Sequence, residues 1–171
     1  MNIIPTTIEV KLFNKELLKK LKIISEEDLE NNKIDLCYAT KGALAFDLYA
    51  VIENEIIIGP KEQFLCPTGI SINAYNDEYD FGIILAPRSG LGNRGLVLGN
   101  TIGIIDADYQ GQILCSLLNR THTASFSVIP GERIAQAMFI PKIQMKSGII
   151  VDEFSTFSNR GSKGFGDSGR F

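Results

Sequence analysis

Residues 99–111 read Gly99-Asn100-Thr101-Ile102-Gly103-Ile104-Ile105-Asp106-Ala107-Asp108-Tyr109-Gln110-Gly111. The pattern predicts a glycine-bounded β-hairpin with Asn100, Asp106 and Tyr109 at its working positions. Glycine supplies positive φ and close backbone approach without steric cost. Ile102, Ile104 and Ile105 are β-branched and suit a half-buried strand. An aspartate that interrupts such a strand is costly when buried without a partner. Asp106 is therefore either solvated in a turn or kept for chemistry, and this stretch alone leaves both readings open.

Outward from it, short β-rich runs continue in both directions. They are Ile8–Phe13, Phe46–Ala50, Glu55–Ile58, Gln63–Pro67, Gly69–Asn73, Phe81–Leu85, Leu96–Leu98, Gly111–Asn119, Ala124–Ile129 and Ile134–Ile140. Turn signals such as Gly59-Pro60, Asn93-Arg94-Gly95 and Pro130-Gly131 separate them at short, regular spacing. That is the pattern of an all-β sandwich or barrel. Lys15–Asn32 differs: Leu17, Leu18, Leu21, Ile24 and Leu29 recur at helical spacing among lysines and glutamates, which predicts a helix or two with a solvated charged face. From Arg160 to Phe171 the chain is Gly-rich and polar. Such a tail builds no core of its own and is expected to be mobile until a ligand or neighbour orders it. The expected division is a β-domain over residues 1–159, with the helical insertion at 15–32, and a flexible arm over 160–171.

A chain of 171 residues suits one domain with a sizeable core, and 44% hydrophobic with 22% charged residues is an ordinary globular composition. No apolar run is long enough to span a bilayer as a helix, so no membrane association is expected. Met1 to Lys11 has neither a basic leader nor a small-residue cleavage site. Cys37, Cys66 and Cys115 are isolated and suit buried thiols in a reducing compartment, so a cytoplasmic protein is expected. The net charge of −3 argues against a general nucleic-acid binder, which needs a basic face. A small anionic ligand needs only a local group of arginines. With one histidine, His122, and no cysteine pair, zinc chemistry is not expected.

Four further clusters are rich in Gly, Arg, Ser or Asp. Ala45–Ala50 puts one carboxylate, Asp47, on an apolar strand. Ala86-Pro87-Arg88-Ser89-Gly90-Leu91-Gly92 sets a cation, a hydroxyl and glycines in succession after a strand, which suits a phosphate as well as a simple turn. Gly131-Glu132-Arg133-Ile134-Ala135-Gln136 is the next. The last is the tail Arg160–Gly169, which opens no helix and so fits neither a P-loop nor a dinucleotide fingerprint.

Together, and in this order, the five clusters resemble the homotrimeric all-β dUTP pyrophosphatases (dUTP nucleotidohydrolases), bacterial members above all, from about Lys41 to Arg170. The resemblance implies a distorted jelly-roll or β-clip barrel that hydrolyses dUTP to dUMP and pyrophosphate. That reaction keeps uracil out of DNA and supplies dUMP for dTMP synthesis. It implies that Asp106 holds the water that attacks the α-phosphorus, and that Tyr109 packs on the deoxyribose and rejects a 2′-hydroxyl. Asn100, with main-chain groups around Ile104, Ile105 and Leu114, would read uracil. Arg88, Ser89, Gly90 and Gln136 would hold the phosphates, and Asp47 the waters of a Mg²⁺ chelated by the triphosphate. From the tail, Phe165 would stack on uracil while Arg160 and the Gly166–Ser168 backbone close over the γ-phosphate. A homotrimer with shared sites is implied, one subunit giving the base-reading hairpin, another the phosphate residues and a third the tail. A carboxylate is a weak base towards water, so Asp106 acts mainly by orienting it, and the rate comes from positioning and charge neutralisation.

Ala45 stands where the family usually has Gly, and Asp167 where Ser or His is commoner. Lys15–Asn32 has no counterpart in the minimal family pattern. Arg133 reads as a brace of the fold rather than a substrate contact, and His122 as a solvated loop residue. The dCTP deaminases, which share the fold, are the alternative enzyme. Their hairpin carries a Glu and lacks the Asp-x-Asp-Tyr run of Asp106–Tyr109. A nucleotide-dependent regulatory contact through Lys15–Asn32 is the alternative outside catalysis.

Overall fold

The structure is a computed structural model that describes residues 8–74, 81–156 and 158. Eleven strands and three short helices make up its regular elements. The largest sheet is antiparallel in the order β2 (Phe46–Tyr49), β11 (Arg133–Pro141), β6 (Phe81–Pro87), β8 (Gly103–Ile105). A second joins β4 (Gln63–Pro67), β9 (Leu114–Asn119) and β7 (Leu96–Leu98). Two ribbons complete the body: β1 (Glu9–Leu12) on β5 (Ile70–Asn73), and β10 (Phe126–Val128) on β3 (Ile56–Ile58).

Alternation decides which side chains enter the core. Phe46 and Leu48 on β2, Ile83 and Leu85 on β6, and Cys115 and Leu117 on β9 are buried, and their chain neighbours point outward. These residues meet Ile58, Cys66, Ile72, Leu96, Leu98 and Val128 from the other strands in one continuous core. Strands with one wet face pack in this way. The core tolerates one fully buried polar side chain, Asn119, because every valence is met. Its Nδ2 donates to Ile58 O (3.0 Å) and Ala124 O (2.7 Å), and its Oδ1 accepts from Thr121 N (3.0 Å) and Thr121 Oγ1 (2.7 Å).

The helical segment is two helices, α1 (Lys15–Lys20) and α2 (Glu26–Glu30). Lys22 takes positive φ between them, and Ser25 opens α2 with a capping box in which Ser25 and Asp28 bond each other's backbone N–H. Serine's hydroxyl and backbone N–H both hold the Asp28 carboxyl below the usual carboxylate range. Leu18 and Ile24 form a satellite core with Val51. Gly69 makes this docking possible: its φ is +74°, and a Cβ there would lie 2.9 Å from both Leu18 Cδ2 and Val51 Cγ2.

One expectation changes. Residues 99–111 do not form a hairpin, because β7 pairs with β9 whereas β8 pairs with β6. The segment crosses between sheets, and only Gly103–Ile105 is strand. The last described strand ends at Pro141. Beyond it, residues 142–156 contain no strand and leave Ile143, Met145, Ile149, Ile150 and Phe154 in solvent, Ile150 at 100% relative exposure.

Candidate active site

The sheet β2-β11-β6 carries one polar row. Asp47 lies opposite Gln136, and Gln136 opposite Ala86. Just beyond Ala86 and Pro87 the chain leaves β6 at Arg88, which caps the N-terminus of α3 (Ser89–Arg94) with extended backbone. Arg88 gives α3 no side-chain cap, since a guanidinium offers only donors; it turns back to Asp47, Nε donating to Oδ1 at 2.8 Å. Arg133 takes the other oxygen, Nη1 to Oδ2 at 3.1 Å. The Asp47 side chain is only 13% exposed, so its two cations hold a charge that water alone would serve poorly. Gln136 Nε2 donates to Pro87 O at 2.9 Å, which braces the turn that presents Arg88, Ser89 and Gly90. On the same face as Asp47, burial first and then the Cys37 thiol push the Tyr49 phenol up to about 12. It stays neutral beside these charges.

Asp106 follows β8 directly and is exposed; its carbonyl accepts from Tyr109 N at 3.1 Å to close a turn. Tyr109 folds back over its own loop, Oη donating to Gln112 O at 3.1 Å. A Cβ at Gly111 would collide with that phenol, so glycine there is what lets the ring lie down. Around Asp106, Ile102, Ile104, Tyr109 and Leu114 are all exposed, Ile104 at 73%. Asn100 is exposed at the far end of the segment, next to Gly99, whose N donates to Ser116 O at 2.7 Å. Among the described residues β8 is an edge strand, so alternate backbone N–H and C=O groups between Gly103 and Ile105 face away from β6. Such a rigid edge is a ready set of donors and acceptors for a flat, polar-edged ligand.

These two groups of residues are not together within one chain. Ile105 lies opposite Ile83, and Arg88 is five residues further along β6. At a strand's rise, Arg88 lies about 17 Å along the sheet from Ile83 and its partner Ile105, and Asp106 follows Ile105 in the opposite direction. The structure thus unites Asp47, Arg88 and Gln136, with Ser89 and Gly90 on the adjoining turn, at one end and Asp106 with Ile104, Ile105 and Tyr109 at the other. Arg160, Phe165, Gly166 and Ser168, together with Asp167, lie outside the described residues. Arg133 reads as a brace of the fold, and nothing in the sequence of Gly131–Gln136 signals the register shift that turns it towards Asp47.

Among the described residues no group of three His, Cys, Asp or Glu side chains could hold a metal ion. Asp47 is a lone carboxylate whose oxygens are already bonded. That donor set does not suit a resident cation, but it does suit a Mg²⁺ that arrives on a polyphosphate and keeps its waters.

Residues 31–169 match the family model described as dUTPase. The deoxyuridine 5′-triphosphate nucleotidohydrolase of Photorhabdus laumondii is 46% identical over 134 residues, 78% of this chain and 85% of that protein. Among solved structures, the Staphylococcus bacteriophage 80alpha dUTPase with dUPNHPP superposes with a TM-score of 0.71 at 24% identity, covering 96% of this chain and 99% of that one. A substituted dUTPase from phage phi11 of S. aureus, whose structure describes coordination of a structural Mg(II) ion, gives 0.63 at 18% identity, covering 88% and 100%. The barrel-like β fold is therefore shared with proteins far apart in sequence, and the relative at 46% identity settles the lineage. This chain belongs to the dUTPase family.

Proposed function

We propose that the protein hydrolyses dUTP to dUMP and pyrophosphate in sites shared between subunits of a homotrimer. Family membership supports the reaction, and the separation of Asp106 from Arg88 along β6 carries the shared site. Asp106 lies beyond the Ile83 end of that strand, about 17 Å or more from Arg88 along the backbone, so a site that draws the two residues from different copies brings water and phosphates together more readily than one chain does. The exposed apolar residues point the same way. Among the described residues, Ile102, Ile104 and Leu114 near Asp106, and Ile143, Met145, Ile149, Ile150 and Phe154 beyond β11, are uncovered, as expected of surfaces that another copy buries.

In this reading the β8 edge and Asn100 hold uracil through fixed groups, with the main chain at Ile104, Ile105 and Leu114. The edge of cytosine presents the reverse donor–acceptor order, so it leaves those groups unpaired. Tyr109, pinned by Gln112 O and Gly111, stacks under the deoxyribose and leaves no room for a 2′-hydroxyl. Asp106 accepts a hydrogen bond from the attacking water and aims it in line at the α-phosphorus. Arg88, the Ser89 and Gly90 backbone and Gln136 neutralise the phosphates of the partner's nucleotide. Asp47 holds waters of the Mg²⁺ that the triphosphate brings, whose chemistry is to offset phosphate charge. Arg160, Phe165, Gly166 and Ser168 of the arm close over the base and γ-phosphate and exclude water. No described helix is long and apolar enough to cross a membrane, in keeping with a cytoplasmic nucleotide enzyme.

Pyrophosphate release from dUTP, dCTP, dTTP and UTP, each with and without Mg²⁺, tests the proposal. The expected preference for dUTP over dCTP is about 10⁴-fold, the scale of a site whose polar groups go unpaired, with activity falling when Mg²⁺ is chelated. Equal turnover of dCTP, or ammonia release from it, would favour the deaminase reading and overturn this one.

A further inference from the structure

Strand β11 contains an irregularity that the proposed phosphate grip has not yet used. Gln136 lies opposite Asp47 and Ala135 opposite Leu48, yet Tyr49 lies opposite Arg133. Ile134 is therefore an extra residue, a β-bulge. Without it Ile134 would face Tyr49, and Arg133 would fall one position out of step and onto the other face. The bulge thus puts Arg133 on the same face as Asp47 and Gln136, where its Nη1 reaches Asp47 Oδ2.

The consequence lies in how Arg88 is held. Its guanidinium is bonded at Nε by Asp47 Oδ1 (2.8 Å) and at Nη1 by the backbone carbonyl of Arg133 (3.4 Å). Among the described residues no bond is made by Nη2. A guanidinium and a carboxylate left to themselves prefer the two-point fork, with two parallel N–H···O bonds. Here Oδ2 is turned to Arg133, and Asp47 takes Arg88 at one point only. We propose that Arg133 is a positioning residue for the phosphate grip: by holding Asp47 Oδ2 it keeps Asp47 from closing a fork on Arg88, and so leaves the Nη2 corner open for a phosphate oxygen. The inference rests on the reading of Arg88 as a phosphate ligand. Remove Arg133, and Oδ2, in a side chain only 13% exposed, is free to close the fork with the Arg88 guanidinium already bonded at Oδ1, which takes up the Nη2 corner the nucleotide needs.

Inorganic pyrophosphate and deoxyuridine, used as separate inhibitors of the full-length enzyme, read the two ends of the site independently. Arg133→Gln should weaken pyrophosphate about tenfold, the scale of one charged hydrogen bond, and leave deoxyuridine unchanged. Arg133→Lys, which still offers a cation to Oδ2, should restore most of the loss. In an Asp47→Asn background, where no fork with Arg88 forms, Arg133→Gln should have little further effect. Unchanged pyrophosphate inhibition in Arg133→Gln overturns the proposal. So does equal weakening of deoxyuridine, which marks general damage. A full tenfold loss in the Asp47→Asn background also overturns it, since Arg133 would then touch the anion itself. Arg88→Ala serves as the reference: if it leaves pyrophosphate unaffected, the reading of the grip fails, whereas a silent Arg133→Gln beside a weakened Arg88→Ala sinks this inference alone.

Discussion

Tyr109 lies flat over its loop because residue 111 has no Cβ. Gly111→Ala would push the phenol off Gln112 O and open the space where a 2′-hydroxyl must otherwise collide. The expected result is a rise of about tenfold or more in UTP turnover relative to dUTP, the worth of a lost steric and polar contact, with dCTP still rejected. Competitive turnover of the two nucleotides measures it. Cys66 and Cys115 lie directly opposite one another on β4 and β9, and both are free and buried. Burial pushes each thiol from about 9 up to about 12. At neutral pH a thiol reagent should therefore modify exposed Cys37 alone in the native protein, and all three cysteines after unfolding. The sign of the pH dependence follows. Unfolded thiols ionise near 9 while the folded ones resist, so their stabilisation is complete below pH 9 and drains away as pH rises towards 12. A denaturant midpoint that held steady from pH 8.5 to 11 would contradict this.

Among the elements, the docked pair α1–α2 makes a sharp stability claim. Leu18 is fully buried between Val51 and Gly69, so Leu18→Ala should cost about 3 kcal/mol. The loss would appear as a lower denaturation midpoint, with the preference for dUTP over dCTP unchanged. The strands were legible in the sequence where alternation, β-branching and turn residues agreed. Gln63–Pro67 and Leu96–Leu98 match residue for residue, and the long run through β11 is found within a residue at each end. The spacing in Lys15–Asn32 left one helix or two open, and the structure has two, the second opened by the Ser25–Asp28 capping box. What escaped was pairing. A glycine-bounded run around Asp106 suggests a local hairpin, yet β8 finds its partner in β6, twenty residues earlier, and a strand carries no mark of which distant edge it will join. The bulge at Ile134 escaped for a related reason. It exists only relative to β2, so Arg133 read as a brace when it is the second hand on Asp47.

At the scale of the molecule, the candidate site residues lie in two groups towards the two ends of β6. One end offers a carboxylate, a pinned tyrosine and a bare sheet edge; the other offers arginine, glutamine and the turn into α3. The clusters stood out in the sequence because each sets an unusual polar residue beside glycines or, at Asp47, on an otherwise apolar strand. Their separation did not, since it depends on the antiparallel register of β6 and β8. Co-refolding of two defective variants reads out that separation. Asp106→Asn and Arg88→Ala proteins, each nearly inactive alone, are unfolded, mixed in equal amounts and refolded together. If every site takes Asp106 from one copy and Arg88 from another, about a quarter of the sites in randomly mixed trimers are intact, and dUTP hydrolysis returns to roughly that fraction of wild type. A mixture as inactive as its components would contradict the shared site.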